Sequence, residues 1–228
     1  EARDIMSTAK TEQNRNSEMA EELINRVNEL LNEEKWTRAT LKNYTVANFK
    51  ELDDLLEQIS EQGAEDEVLD LCNEHLQHTK NSLIALYLSG LVRLSRQTVD
   101  DGNLVQLIEI FKDNHKWKIV SYLCNRILSF GENRYALRTL AEAHNNENQI
   151  EKMYEVWERL IRVDYDEADI VKILAQRKES QGELNEAIQY YKKSLNRYIS
   201  KKSFSTRCSR TCTPISRRRG SGRQPLPS

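Results

Sequence analysis

The chain matches itself at a fixed shift. Leu140-Ala141 recurs as Leu174-Ala175, and Trp157 recurs as Tyr191, each 34 positions further on. A period of about 34 residues is the length of one helix-turn-helix repeat, and it constrains the fold more than any other feature of the sequence. Each such unit has an apolar face that it cannot bury alone. Neighbouring units therefore stack into an array with a shared core, leaving a surface for partners. The proline pattern agrees, because all three prolines lie in the last fifteen residues. No proline interrupts a helix from Glu1 to Thr213.

In the tetratricopeptide (TPR) frame, Arg134 opens one unit and Ala168 the next. Ala141 and Ala175 then occupy the small-residue position where the two helices of a unit approach closely. Ala187, Tyr191 and Ser194 fit the second helix of the later unit, with Gly182 in its turn. The earlier unit has Met153, Trp157 and Leu160 instead, which predicts looser packing there. Trp157, Tyr191 and Trp117 are expected in the core, because large apolar residues at helical spacing are what an array buries. A second self-match, Leu71-Cys72-Asn73 with Leu123-Cys124-Asn125, has a shift of 52. That is one unit plus an extra helix, which Asn103 to Lys112 can supply.

Upstream, the periodic residues Leu23, Val27, Leu30 and Leu31 predict a first helix. Phe49, Leu52, Leu55, Leu56 and Ile59 predict a second, capped by Thr45 or Asn48 and ending near Gly63. Trp36, Leu41 and Tyr44 are expected to pin the connection. Helices then follow over about Glu65–Gln77, with Val68, Leu69, Leu71, Cys72 and Leu76 facing inward, and about Asn81–Arg96. The expected fold class is all-α: TPR-like helical hairpins forming a right-handed α-solenoid, irregular in its N-terminal half. The expected organisation is a disordered segment over 1–18, a helical pair over 19–63, a repeat array over 64–205 and a disordered basic tail over 206–228.

The net charge is -2, yet residues 206–228 hold six arginines and no Asp or Glu. Removing those six charges leaves -8 on the rest, an acidic body that argues against nucleic acid as its main ligand. The tail, with Arg217-Arg218-Arg219, fits either a basic arm for RNA or DNA or the product of a frame shift, since composition changes there within a helical pattern. No run approaches the roughly 18 apolar residues of a membrane span, and no secretory signal opens the chain, so a cytoplasmic protein is expected.

Little in the sequence supports chemistry. The glycines form no phosphate-binding loop. Cys72, His75 and His78 are spaced by three, which lets neighbours share a helix face but swings the outer pair apart, so no zinc site is expected. Cys208 and Cys212 lack a second ligand pair. His115 and His144 lie near helix ends, where capping or surface roles are usual. The acid pairs Asp53-Asp54 and Asp100-Asp101 are adjacent, which splays them apart on a helix and merely solvates them in a turn. The expectation is a non-enzyme with no cofactor and no metal. Partners would be held by the first helices of the last two units, through Tyr135, Arg138, Glu142, Asn145, Lys172, Gln176 and Glu179.

Several blocks also carry a resemblance: LLNEEKWTRATLKNYTVANFKELDDLL from Leu30, HTKNSLIALYLSGLVRLSRQTVDD from His78, DNHKWKIVSYLCNRILSFGENRYALRTLAE from Asp113, and the stretch from Tyr154 to Phe204. Over about Leu23 to Ser205 the chain resembles the N-terminal helical-repeat region of long bacterial Gre transcription elongation factors. Gre factors bind RNA polymerase, insert a coiled coil into its secondary channel and stimulate cleavage of backtracked RNA. Acidic residues at the coiled-coil tip help hold the catalytic magnesium. No part of this sequence corresponds to that coiled coil, so no catalytic acid carries over. The resemblance implies a non-catalytic scaffold that docks on RNA polymerase or a transcription-associated protein. A generic TPR adaptor for a peptide and a nucleic-acid binder acting through the Arg-rich tail are the alternatives.

Overall fold

Eleven helices account for most of the described residues. The computed structural model describes residues 2–34, 38–96, 102–162 and 167–196, with side chains from residue 15 onward except at 38. The helices are α1 (Ala2–Glu33), α2 (Arg38–Asn43), α3 (Val46–Gln62), α4 (Glu65–His78), α5 (Leu83–Ser95), α6 (Asn103–Asp113), α7 (Trp117–Leu128), α8 (Arg134–Asn146), α9 (Ile150–Arg162) and α10 (Ala168–Ser180), followed by α11 over 184–196. No strand occurs among the described residues, and the fold is all-α with TPR-like hairpins. The expectations placed on Trp36, Asp100-Asp101, the two tail cysteines and the basic tail lie outside the described residues.

The helix ends follow from local chemistry. At α3, Asn48 Oδ1 accepts a hydrogen bond from the Thr45 N–H at 2.9 Å, satisfying a donor at the helix start. The helix stops at Gly63, whose φ of 67° turns the chain out of the helix at no Cβ cost. Helices α5 and α8 start alike: Ser82 Oγ accepts from Ala85 N at 3.2 Å, and Asn133 Oδ1 accepts from Ala136 N at 2.9 Å. The extra helix inferred from the shift of 52 is α6.

The molecule divides into two compact units, Glu1–Val163 and Asp164–Ser228. Position 63 is not a break in packing, because α1 and α3 both pack against α4 and α5. Residues 2–18, expected to be disordered, are part of the continuous backbone of α1.

In the first unit, Phe49 meets Tyr87 edge-on at 5.0 Å and Phe111 at 5.5 Å, drawing α3, α5 and α6 together. Gly90 lets α5 and α6 approach: a Cβ there would lie 2.5 Å from Leu104 Cγ. Val68 and Cys72 of α4 are buried as expected, whereas Leu69, Leu71 and Leu76 are only half-buried.

Two expectations about the later repeats are corrected. Helix α9 does not pack loosely: Met153, Leu160 and Ile161 are all buried, and α8 packs on both α7 and α9. The aromatics singled out as core residues are not in the core. Trp117 and Trp157 are half-buried, with Trp157 edge-on to Tyr154 at 5.6 Å, and Tyr191 is exposed. In the second unit α11 buries Ala187 but exposes Leu184, Ile188 and Leu195 at 60, 48 and 58%. The consensus-like unit thus keeps less of its second helix covered, within the described residues, than the divergent one.

Candidate functional site

The residues nominated for partner binding lie in two places. Tyr135, Arg138, Glu142 and Asn145 are on α8 in the first compact unit, and Lys172, Gln176 and Glu179 are on α10 in the second.

On α8 the spacing of three or four residues keeps the set on one side of the helix, but the members do different work. The Tyr135 hydroxyl donates to Glu109 Oε1 of α6 at 2.6 Å. Lys112 of α6 pairs with Glu142 Oε2 at 3.0 Å and with Glu109 at 3.5 Å. Tyr135, Glu109, Lys112 and Glu142 therefore form a polar ladder that ties α8 to α6. Burial, reinforced by the hydrogen bond and charge of Glu109, raises the Tyr135 phenol above its ordinary pKa. Burial opposes the charge on Lys112, but Glu142 and then Glu109 more than offset it, so its pKa is also raised. Arg138 and Asn145 are exposed on the same helix.

On α10, Lys172 and Gln176 are exposed. Glu179 accepts from the Tyr191 hydroxyl at 2.9 Å, and Lys178 binds Glu183 at 2.6 Å and Glu186 at 3.0 Å. These contacts close the α10–α11 hairpin. All of the nominated residues except Tyr135 are exposed, and Tyr135, Glu142 and Glu179 also hold helices together.

Sequence reasoning missed two polar hubs. Asp53 of α3 accepts from the Tyr87 hydroxyl at 2.8 Å, from Arg126 Nε at 2.9 Å and from the Tyr122 hydroxyl, joining α3, α5 and α7. Glu34, just past α1, accepts from Leu83 N at 2.8 Å and Ile84 N at 3.3 Å, and from the Ser82 hydroxyl. It thereby places a carboxylate at the positive start of α5. Burial first, then the charge and hydrogen bond of Glu34, push the Tyr44 phenol up to about 12. Little that is local marks these acids, because apart from Tyr44 beside Glu34 their partners are 34 to 73 residues away.

Cys72 and Cys124 are buried free thiols. Burial pushes each up to about 12, with the charge of Glu34 adding to the effect at Cys72. Both are therefore poor nucleophiles at neutral pH. Among the described residues no three His, Cys, Asp or Glu side chains cluster to hold a metal. No described helix is long and apolar enough to cross a membrane.

No protein-family model matches the chain. Over 162 residues, 71% of the chain, it is 46% identical to a putative GreA-associated domains protein of Treponema pallidum strain Nichols. Over 182 residues, 80% of the chain, it is 38% identical to a transcription elongation factor GreA of Borreliella burgdorferi strain B31. The chain is related to a Gre-associated region. It spans 24 and 20% of the lengths of these two relatives. Two solved structures of MamA, one a double mutant and one a form from Desulfovibrio magneticus beginning at residue 41, share 15% identity with it. They cover 68 and 66% of this chain, and it covers 96 and 95% of theirs, at TM-scores of 0.38 and 0.37. At these scores the likeness has no bearing on function.

Proposed function

We propose that this chain is a non-catalytic, cytoplasmic helical scaffold within a Gre-like transcription elongation factor, and that it docks on RNA polymerase or a protein that travels with it. The similarity of 71–80% of its length to Gre-associated proteins carries the reading. The all-α architecture supports it, since stacked hairpins present side chains on a long surface and need no chemistry of their own. The buried, high-pKa thiols and the structural use of Asp53 and Glu34 fit a scaffold. In this reading Arg138 and Asn145 on α8, and Lys172 and Gln176 on α10, contact the partner. Tyr135, Glu142 and Glu179 hold the helices that present them.

The test is retention of purified core RNA polymerase by the immobilised chain at physiological salt. The variants are Arg138→Glu and Lys172→Glu, each first shown to be folded by circular dichroism. Retention by the native chain and loss by either charge reversal supports the proposal. A folded chain that retains no polymerase, or charge reversals without effect, overturns it.

A further inference from the structure

An apolar recess opens between the turn before α3 and the turn before α7, beside the C-terminal end of α8. It encloses about 610 Å³, within the range of roughly 300–1,000 Å³ over which pockets take a small ligand or an inserted side chain. Its apolar wall comes from Tyr44, Val46, Trp117 and Ile119. Trp117 is half-buried, so part of its indole faces the opening. The rim is of opposite character. His115, Lys116 and Lys118 line it, against one acid, Glu147, which takes a hydrogen bond from the Ser121 hydroxyl at 3.5 Å. Lys116 Nζ donates to the Lys42 carbonyl at 2.9 Å, which holds its charge at the rim. The His115 ring lies 6.1 Å from that of Trp117.

We propose that this recess binds an acidic peptide segment of a partner protein, with one aromatic or leucine side chain seated against Trp117 and carboxylates on the Lys116–Lys118 rim. The charge pattern selects this occupant. Two lysines and a histidine cluster at one mouth on a body whose first 205 residues carry -8, so the patch attracts acidic segments while the surrounding surface repels unguided binding. The chain's own tail cannot be the occupant, because its six arginines and absence of acids repel the same rim. Nucleic acid fits less well, since two lysines and a histidine beside a carboxylate make no continuous phosphate track.

His115 also lets binding be separated from folding. Its φ is 55°, a left-handed conformation in which glycine is the least strained residue. His115→Gly therefore preserves or raises stability while removing a rim group.

The probe is a pool of acetylated, amidated hexapeptides, each with one Phe, Tyr, Trp or Leu among Asp and Glu. It is titrated into the full chain while the Trp117 indole N–H is followed by 15N–1H NMR, assigned with Trp117→Phe. The expected result is a saturable shift of that signal below millimolar pool concentration. Lys118→Glu should weaken binding by about 5–10-fold, and raising salt from 50 to 300 mM by a similar factor, as for an exposed charge pairing. Replacing the apolar residue by Ala in every peptide should abolish the shift, and His115→Gly should weaken it without lowering the melting temperature. No shift up to millimolar pool, equal binding by a Lys-substituted pool, tighter binding by a uridine hexanucleotide, or Lys118→Glu without effect would each overturn the proposal. Because none of these variants alters Arg138 or Lys172, loss of polymerase docking and loss of peptide binding are read independently.

Discussion

Replacing Asp53 by alanine tests whether three helices depend on one carboxylate. Asp53 accepts from Tyr87 at 2.8 Å and Arg126 at 2.9 Å, and also from Tyr122. Its side chain is 17% exposed, against 33% for that of Arg126. A hydrogen bond to a charged group is worth about 1.5–3 kcal/mol, and leaving a buried donor unsatisfied costs about 1–3 kcal/mol. Tyr87 is fully buried, so its hydroxyl bears the full penalty, whereas Tyr122 and Arg126 are half-buried and recover part of theirs from water. The sum is about 3–4 kcal/mol, consistent with the roughly 3–5 kcal/mol lost when one member of a buried ion pair is removed. With an m-value of about 2 kcal/mol per molar urea, the unfolding midpoint should fall by about 1.5–2 M. Asp53→Asn keeps an acceptor but loses the charge and should cost about half as much. Tyr87→Phe removes one donor and should cost about 1 kcal/mol. Urea titrations followed by near-ultraviolet circular dichroism provide the comparison. A loss below 1 kcal/mol for Asp53→Ala would refute the view that this hub holds α3, α5 and α7 together.

Three further outcomes are expected. Tyr44 and Tyr122 are raised from 10.0 to about 12, as are Cys72 and Cys124 from 9.0 to about 12, and Tyr87 is raised as well. Above pH 9 to 10 the unfolded chain therefore releases protons that the folded chain retains. Stability present below that range should be lost as pH rises toward 12, giving a steep fall in melting temperature with phenol absorbance at 295 nm appearing at unfolding; early, fully reversible ionisation of all nine tyrosines in the folded state would contradict this. Gly90→Ala adds a Cβ 2.5 Å from Leu104 Cγ, an overpacking cost of about 1–3 kcal/mol that outweighs the roughly 1 kcal/mol gained in helix propensity. Thermal melts should show net destabilisation, and Gly90→Ala should cost less in a Leu104→Ala background than in the native chain. Glu34→Gln should cost about 1 kcal/mol by removing negative charge from the start of α5, measured by chemical denaturation, with Glu34→Ala costing more.

The parts of the fold legible in the sequence are those set by nearby residues. The 34-residue spacing located α8 through α11, Thr45, Asn48 and Gly63 marked the ends of α3, and the shift of 52 located α6. Each of these depends on contacts within one helix or one hairpin, where periodicity and capping chemistry suffice. The site was less legible, because helical spacing gives the side of a helix but not what stands opposite it. Tyr135 and Glu142 share a side of α8 with Arg138, yet α6 takes both of them through Glu109 and Lys112. Glu179 turns to Tyr191 for the same kind of reason.

Asp53 shows the limit most directly. It lies beside Asp54 on α3, and adjacency on a helix does splay the two apart, as the sequence implies. That geometry sends Asp53 inward to Tyr87, Tyr122 and Arg126 and leaves Asp54 exposed. Two identical neighbours thus have opposite roles, and the difference lies in side chains up to 73 residues away. The same holds for the recess at Trp117. Its apolar wall joins the turn before α3 to the start of α7, far apart in the chain, and only the second of these segments carries the basic rim, so neither alone makes a recognisable motif. In a helical array the surface that meets a partner is assembled between helices, and there the contacts given by the structure, rather than the repeat pattern, decide which residues are available.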